Sequence, residues 1–206
     1  MGRHPQPYAT DSLLGLVSDY ADFHCKRELD MAMACGEVLS VVLLSHYLRS
    51  RGYQAEGFDA YRAGIRANDN HGDGAILQIY PEEILESVRR GSIPVIAGFQ
   101  GVNGRLEITT LGRGGSDTSA VAIGAALRAQ VVEIYTDVDG VLTADPRVHA
   151  GASFLTEVDF EEMSELAGHG SKVVHPRAVD LAADYAVPVW VKNTFGERYG
   201  TFLSQV

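Results

Sequence analysis

The sequence predicts an α/β protein with a mostly parallel sheet covered by helices on its faces. Three observations carry that expectation. The order strand, helix, strand repeats through the last hundred residues. The β-branched run that leads into Thr109-Thr-Leu-Gly-Arg-Gly-Gly-Ser-Asp117 passes through a glycine-rich turn straight into the alanine-rich helical stretch Thr118 to Ala129. The chain has 206 residues, 46% of them hydrophobic, and no repeat unit, low-complexity tract or interdomain linker, so one domain over 1–206 is expected.

Taken in order, Ala9 to Tyr20 reads as a helix started by Thr10 or Asp11, with Leu13, Leu14 and Val17 on one face. Lys26 to Arg51 is a long apolar helical stretch that Gly36 is expected to interrupt, with Leu39, Val42, Leu43 and Leu48 as core contacts. Glu37 follows that glycine. It is either a solvated side chain or a carboxylate facing a site and binding an ammonium group. From Gly57 to Tyr80 the pattern loosens into a loop or a pair of short strands. Arg62, Arg66, Asn68, Asp69, Asn70, His71 and Asp73 crowd there, as they would in a substrate loop or in exposed turns. Pro81 to Arg90 has a helix signature, with proline at the start and Glu82 and Glu83 in the first turn. Ile93 to Ala97 reads as a buried strand, Val131 to Tyr135 as another, Phe160 to Ala167 and Arg177 to Tyr185 as helices, and Val187 to Val191 as the last strand. Asp145-Pro146-Arg147 reads as a turn.

The glycine turn is the strongest chemical signal. A helix N-terminus carries unpaired N–H donors and the positive end of the helix dipole, and glycines let an anion approach the backbone. Arg113 adds a guanidinium able to grip a carboxylate or phosphate with two hydrogen bonds, and Asp117 adds a carboxylate able to orient a cation. The alternative is a surface turn in which Ser116 or Asp117 only caps the helix. Neither the dinucleotide glycine pattern nor the phosphate-binding Gly-Lys-Ser/Thr motif fits. The next strand ends in Thr136-Asp137-Val138-Asp139-Gly140, and loops at strand C-terminal ends are where open α/β sheets bind ligands.

A net charge of −10, from 17 basic and 27 acidic side chains, argues against a nucleic-acid or anionic-membrane partner while leaving phosphorylated ligands open. Cys25 and Cys35 have no metal-binding spacing and read as reduced thiols. No apolar run is expected to be long enough to span a bilayer, and Met1-Gly-Arg-His-Pro lacks a signal-peptide core, so a cytoplasmic protein is expected.

Ordered blocks along nearly the whole chain resemble the catalytic domain of aspartate kinases, within the amino acid kinase family. They are Met1-Gly-Arg with Pro7 to Leu14, Arg27-Glu-Leu-Asp30, Cys35 to Ser40, Ala63-Gly-Ile65, Ala97 to Gly101, Thr109 to Asp117, Ile134 to Arg147 and Ser171 to Arg177. The resemblance implies the three-layer α/β/α sandwich of that family. It also implies ATP- and Mg²⁺-dependent phosphorylation of the side-chain carboxylate of L-aspartate, the first step toward lysine, methionine and threonine. By position Glu37 resembles the residue that binds the substrate ammonium, and Arg113, Gly114 and Ser116 match the turn that holds its carboxylate. Thr10 matches a position near the substrate, and Asp117 the carboxylate that organises the reacting groups. Thr136, Asp137, Gly140 and Arg147 match the nucleotide segment, and Lys172 the lysine that reaches ATP from the far side. No side chain is assigned to a metal.

Family members begin with a strand and a Lys-Phe-Gly-Gly-Thr-Ser motif upstream of the Met-Gly-Arg with which this chain starts, and they continue past its end into small regulatory domains. The resemblance therefore implies an N-terminally truncated kinase segment that pairs as a homodimer or with a partner chain supplying the missing strands. Two other readings stand beside it: a ligand-binding assembly partner without turnover, and a kinase-like enzyme for another carboxylate or amino acid, with Lys26 or Lys192 recruited.

Overall fold

The computed structural model describes residues 10–19, 25–144, 149, 151–168 and 173–205. The backbone forms two compact units, Met1–Ser116 and Asp117–Val206.

In the first unit, α1 (Thr10–Ser18) packs on α2 (Lys26–Ser50). Helix α2 runs through Gly36 without a break, contrary to the expected interruption, because that residue is buried in the packed face together with Asp30, Ala34, Val41 and Ser45. It closes in a Schellman turn: Gly52 N–H donates to the Arg49 carbonyl at 3.0 Å, and Tyr53 N–H to that of Leu48 at 3.1 Å. By length and composition α2 is apolar enough to cross a membrane, which corrects the expectation that no such segment exists. One face packs against α1, β1 (Ala55–Phe58), β4 (Ile93–Ile96) and β6 (Ile108–Thr110), whereas Val42 and Leu43, expected as core contacts, are exposed together with Leu44 and Tyr47.

The loosely patterned stretch after β1 resolves into two short strands, β2 (Ile65–Ala67) and β3 (Ile76–Ile79). The proline-led helix is α3 (Glu82–Arg89). Strands β1 and β4 pair in parallel, with Ala55 opposite Ile93 and Phe58 opposite Ile96. Together with β5 (Gln100–Val102), the others form a four-stranded sheet in the order β3-β2-β5-β6, where β2–β5 is parallel and the outer pairs are antiparallel. Helix α4 (Gly115–Ala126) begins five residues after β6 ends.

The second unit holds a four-stranded sheet in the order β7-β9-β10-β8, formed by β7 (Val132–Thr136), β8 (Glu157–Asp159), β9 (Val189–Asn193) and β10 (Thr201–Ser204). Pairs β7–β9 and β8–β10 are parallel and β9–β10 is antiparallel. Two helices, α5 (Phe160–Gly168) and α6 (Pro176–Asp184), pack on each other. The α/β class is therefore as the sequence predicts, with both parallel and antiparallel pairing in the four-stranded sheets. Val121, Ile134, Phe160, Met163, Val179 and Leu203 form the centre of the second unit's core. Burying side chains of this size contributes about 1.5–3 kcal/mol each. Helix α6 starts where sequence rules place a helix start: His175 is the N-cap, its ring accepts from the Arg177 N–H, and Pro176 occupies the first turn.

Candidate functional site

In the first unit the glycine turn forms as the sequence suggests. Gly112 and Gly114 lie at φ +71° and +70°, a region that L side chains rarely adopt, and Arg113 stands exposed between them. The turn is seated tightly. Leu111 N–H donates to the Phe99 carbonyl at 2.9 Å and Gly115 N–H to that of Gly112 at 3.1 Å. A Cβ on Gly112 would lie 2.6 Å from an Asp73 carboxylate oxygen, and one on Gly115 would lie 2.9 Å from Phe99. Gly115 and Ser116 open α4, and Ser116 is exposed.

Glu37 is half-buried on α2, and burial pushes its carboxyl above the ordinary range. Thr10 opens α1, the helix that packs on α2. Most of the polar residues between 62 and 73 serve the local fold. Arg62 pairs with Glu56 at 2.8 Å and stacks on Phe58, Asn68 Oδ1 accepts from the Asn70 and Ala75 N–H groups, and Asn70 Nδ2 donates to the Asp73 carbonyl. His71 differs. Its Nδ1 lies 2.8 Å from Oδ2 of Asp30, a fully buried carboxylate that also accepts from the Thr110 hydroxyl. Sequence reasoning assigned Asp30 no role, since it follows Lys26, Arg27 and Glu28 at the charged start of α2.

In the second unit Asp117 sits in the first turn of α4. Burial raises its pKa, and the His175 N–H, 3.2 Å from Oδ2, pulls it partly back. Thr136 ends β7, with Asp137 exposed beside it and the Thr136 hydroxyl 3.2 Å from Asp137 Oδ1. Beyond them the loop is pinned to the neighbouring strand end. Asn193 Nδ2 donates to Asp139 Oδ1 at 2.7 Å, Arg198 lies 3.3 Å from Asp139 Oδ2, and Thr194 N–H donates to the Thr136 carbonyl at 2.8 Å. Asp139, Asn193 and Arg198 were not singled out from sequence; a polar residue closing the run Val187 to Val191 was the available hint. Lys192 is held by Glu133 at 2.6 Å and lies over the Trp190 ring, so it has a structural place. Arg147 and Lys172 lie outside the described residues.

Gly140 is the residue on which this loop depends. It is buried at φ +144°, and a Cβ there would lie 2.5 Å from the Thr201 hydroxyl and 2.9 Å from the Phe154 ring. That hydroxyl accepts from the Val141 N–H at 2.8 Å and donates to the Leu155 carbonyl. Gly140→Ala is expected to cost about 2–5 kcal/mol, combining backbone strain with overpacking. Gly104→Ala, whose added methyl meets nothing within 4 Å, is expected to stay within about 0.5 kcal/mol of wild type. Urea midpoints compare the two, and equal midpoints would contradict this account of the loop.

The fold and the turn define a class: an α/β protein in which a strand ends in a glycine turn at a helix N-terminus, the geometry that receives phosphate or carboxylate. The model of the amino acid kinase family matches residues 6–193, and the chain belongs to that family. It is 42% identical over 204 residues to aspartokinase 1 of Bacillus subtilis, covering 99% of this chain and 50% of that protein. It is 44% identical over 197 residues to aspartokinase 2 of the same organism, covering 96% and 48%. Among solved structures it is similar to aspartokinase III of E. coli in complex with aspartate and ADP, with a TM-score of 0.84 and 33% identity over 95% of this chain and 44% of that one. It is also similar to aspartate kinase from Synechocystis, with a TM-score of 0.83 and 42% identity over 96% and 32%. UMP kinase from Bacillus anthracis, 17% identical with a TM-score of 0.64, shares the fold. The chain spans about half the length of the aspartokinase relatives it matches.

Proposed function

We propose that this chain is an aspartate kinase catalytic segment, converting ATP and L-aspartate to ADP and 4-phospho-L-aspartate. The observation that carries the reading is that the first unit holds both a half-buried carboxylate on α2 and, in the turn that follows β6, a strand packed on α2, an exposed guanidinium between two left-handed glycines. An L-amino acid offers an ammonium to the first and a carboxylate to the second. The similarity to aspartokinases over nearly the full chain supports the same substrate. Residues 1–206 are read as one kinase domain, since the family match runs through both units.

Each residue then has a task. Glu37 binds the ammonium, Arg113, Gly114 and Ser116 bind the α-carboxylate, and Thr10 lies beside the substrate. Thr136, Asp137 and Gly140, with Arg147 and Lys172, take the nucleotide, and Asp117 organises the reacting groups. The side-chain carboxylate of aspartate is ionised at neutral pH and is itself the nucleophile. One of its oxygens bonds to the γ-phosphorus as the bond to the bridging oxygen of ADP breaks. No strong general base is required, so the barrier is lowered by in-line positioning and by donors that neutralise the phosphoryl oxygens. Mg²⁺ bound to the triphosphate supplies further charge neutralisation. Among the described residues no group of three or more His, Cys, Asp or Glu side chains is placed to hold an ion.

The test is incubation with Mg-ATP, L-aspartate and hydroxylamine, which traps an acyl phosphate as hydroxamate. Aspartate-dependent hydroxamate is the expected result. Binding of both ligands without product would favour the assembly-partner reading, and turnover only with another amino acid would favour a changed substrate.

A further inference from the structure

Asp30 is a fully buried carboxylate that the proposed chemistry does not use. Its two oxygens collect three donors from distant parts of the chain. Oδ1 accepts from the Thr110 hydroxyl at the end of β6. Oδ2 accepts from Gly72 N–H at 3.0 Å and lies 2.8 Å from His71 Nδ1. An ionised aspartate is acceptor-only, so its lone pairs match three donors without conflict.

Both strands of chain that Asp30 grips support the Arg113 turn. Thr110 leads into it through Leu111. The strip Gly72-Asp73-Gly74 lies beneath it: Gly74 N–H donates to the Thr110 carbonyl at 2.8 Å, and a Cβ on Gly112 would meet Asp73 Oδ1 at 2.6 Å and the Gly72 carbonyl at 3.3 Å. On α2, Asp30 and Glu37 are seven residues apart, about two helical turns, and so share one face roughly 10 Å apart along the axis. One carboxylate therefore ties the helix face that carries Glu37 to both walls of the turn that carries Arg113.

We propose that Asp30 is a positioning residue that fixes the spacing between Glu37 and the Arg113 turn, and thereby selects a ligand whose ammonium and carboxylate share one carbon. The ligand half of this statement rests on the proposed amino-acid site; the architectural half does not. Asp30→Ala removes both acceptor oxygens and leaves the Gly72 N–H, His71 Nδ1 and the Thr110 hydroxyl without the partner they share. It is expected to raise the dissociation constant for L-aspartate at least tenfold while leaving that for ADP within twofold. It is also expected to speed tryptic cleavage after Arg113 at least tenfold, with cleavage after the exposed Arg89 of α3 changed less than twofold.

Thr110→Val, which removes one donor without changing shape, should move both readouts in the same direction, and Thr110→Ser, which keeps the hydroxyl, should restore them. This pair decides the matter if Asp30→Ala does not fold. Equal acceleration at Arg113 and Arg89 would show general destabilisation and overturn the proposal, as would unchanged cleavage and affinity. Wild-type protein that binds no aspartate would sink the proposed function, while the cleavage ratio would still decide whether Asp30 holds the turn.

Discussion

Arg113→Ala is expected to weaken L-aspartate binding by a factor of about 10² or more, with ADP affinity unchanged. Losing one partner of a desolvated, hydrogen-bonded charge pair costs about 2–5 kcal/mol, and the bound carboxylate would keep only backbone and hydroxyl donors. The same substitution should leave folding stability within about 0.5 kcal/mol, because Arg113 is exposed and the conformation of the turn belongs to its flanking glycines. Arg113→Lys should recover only part of the affinity, since an ammonium cannot present two parallel N–H donors to a carboxylate. Calorimetric titration checks the first claim and thermal unfolding the second. An alanine variant with wild-type affinity would remove the turn from the substrate site.

Glu37→Gln is expected to separate binding from stability in opposite directions. Burial raises the folded-state pKa of Glu37 above its unfolded value, so the folded protein holds this proton more tightly. Between those two pKa values stability falls as pH rises, and above the folded value the cost of the buried charge is complete. Replacing the carboxylate by an amide removes that cost. The variant should be more stable than wild type at neutral pH, and the difference should fade as pH drops below the unfolded value of about 4.5. Aspartate affinity should fall by a factor of about 10² or more, as for other buried charge partners. Unfolding midpoints of both proteins across pH 4–8 give the stability result. A variant less stable than wild type at pH 7 would mean that Glu37 has a structural partner rather than a substrate to await.

The sequence carried the long elements and the conformation of the glycine turn because both are local. Helices α2 and α4, the proline-led α3 and the strand β7 follow from periodicity, caps and glycine placement within a few residues. The short strands were harder. The three residues of β8 and the four of β10 offer too little alternation to read, and they exist because they pair with each other in register, Leu203 opposite Val158. The break expected at Gly36 rested on helix propensity, which tertiary packing overrode. The role of Asp30 was invisible for the same reason: its partners lie 41 to 80 residues away, and nothing local distinguishes a carboxylate at the centre of a network from one in solvent. The polar stretch from 62 to 73 showed the reverse, since its composition suggested a ligand loop and most of its side chains complete turns and ion pairs.

The most direct measurement of the central claim is calorimetric titration of the chain with L-aspartate, succinate and β-alanine. Succinate lacks the ammonium that Glu37 is proposed to bind, and β-alanine lacks the α-carboxylate proposed for Arg113. The account predicts that L-aspartate binds and that each analogue binds at least tenfold more weakly. Equal affinity for all three, or no binding of L-aspartate, would contradict it.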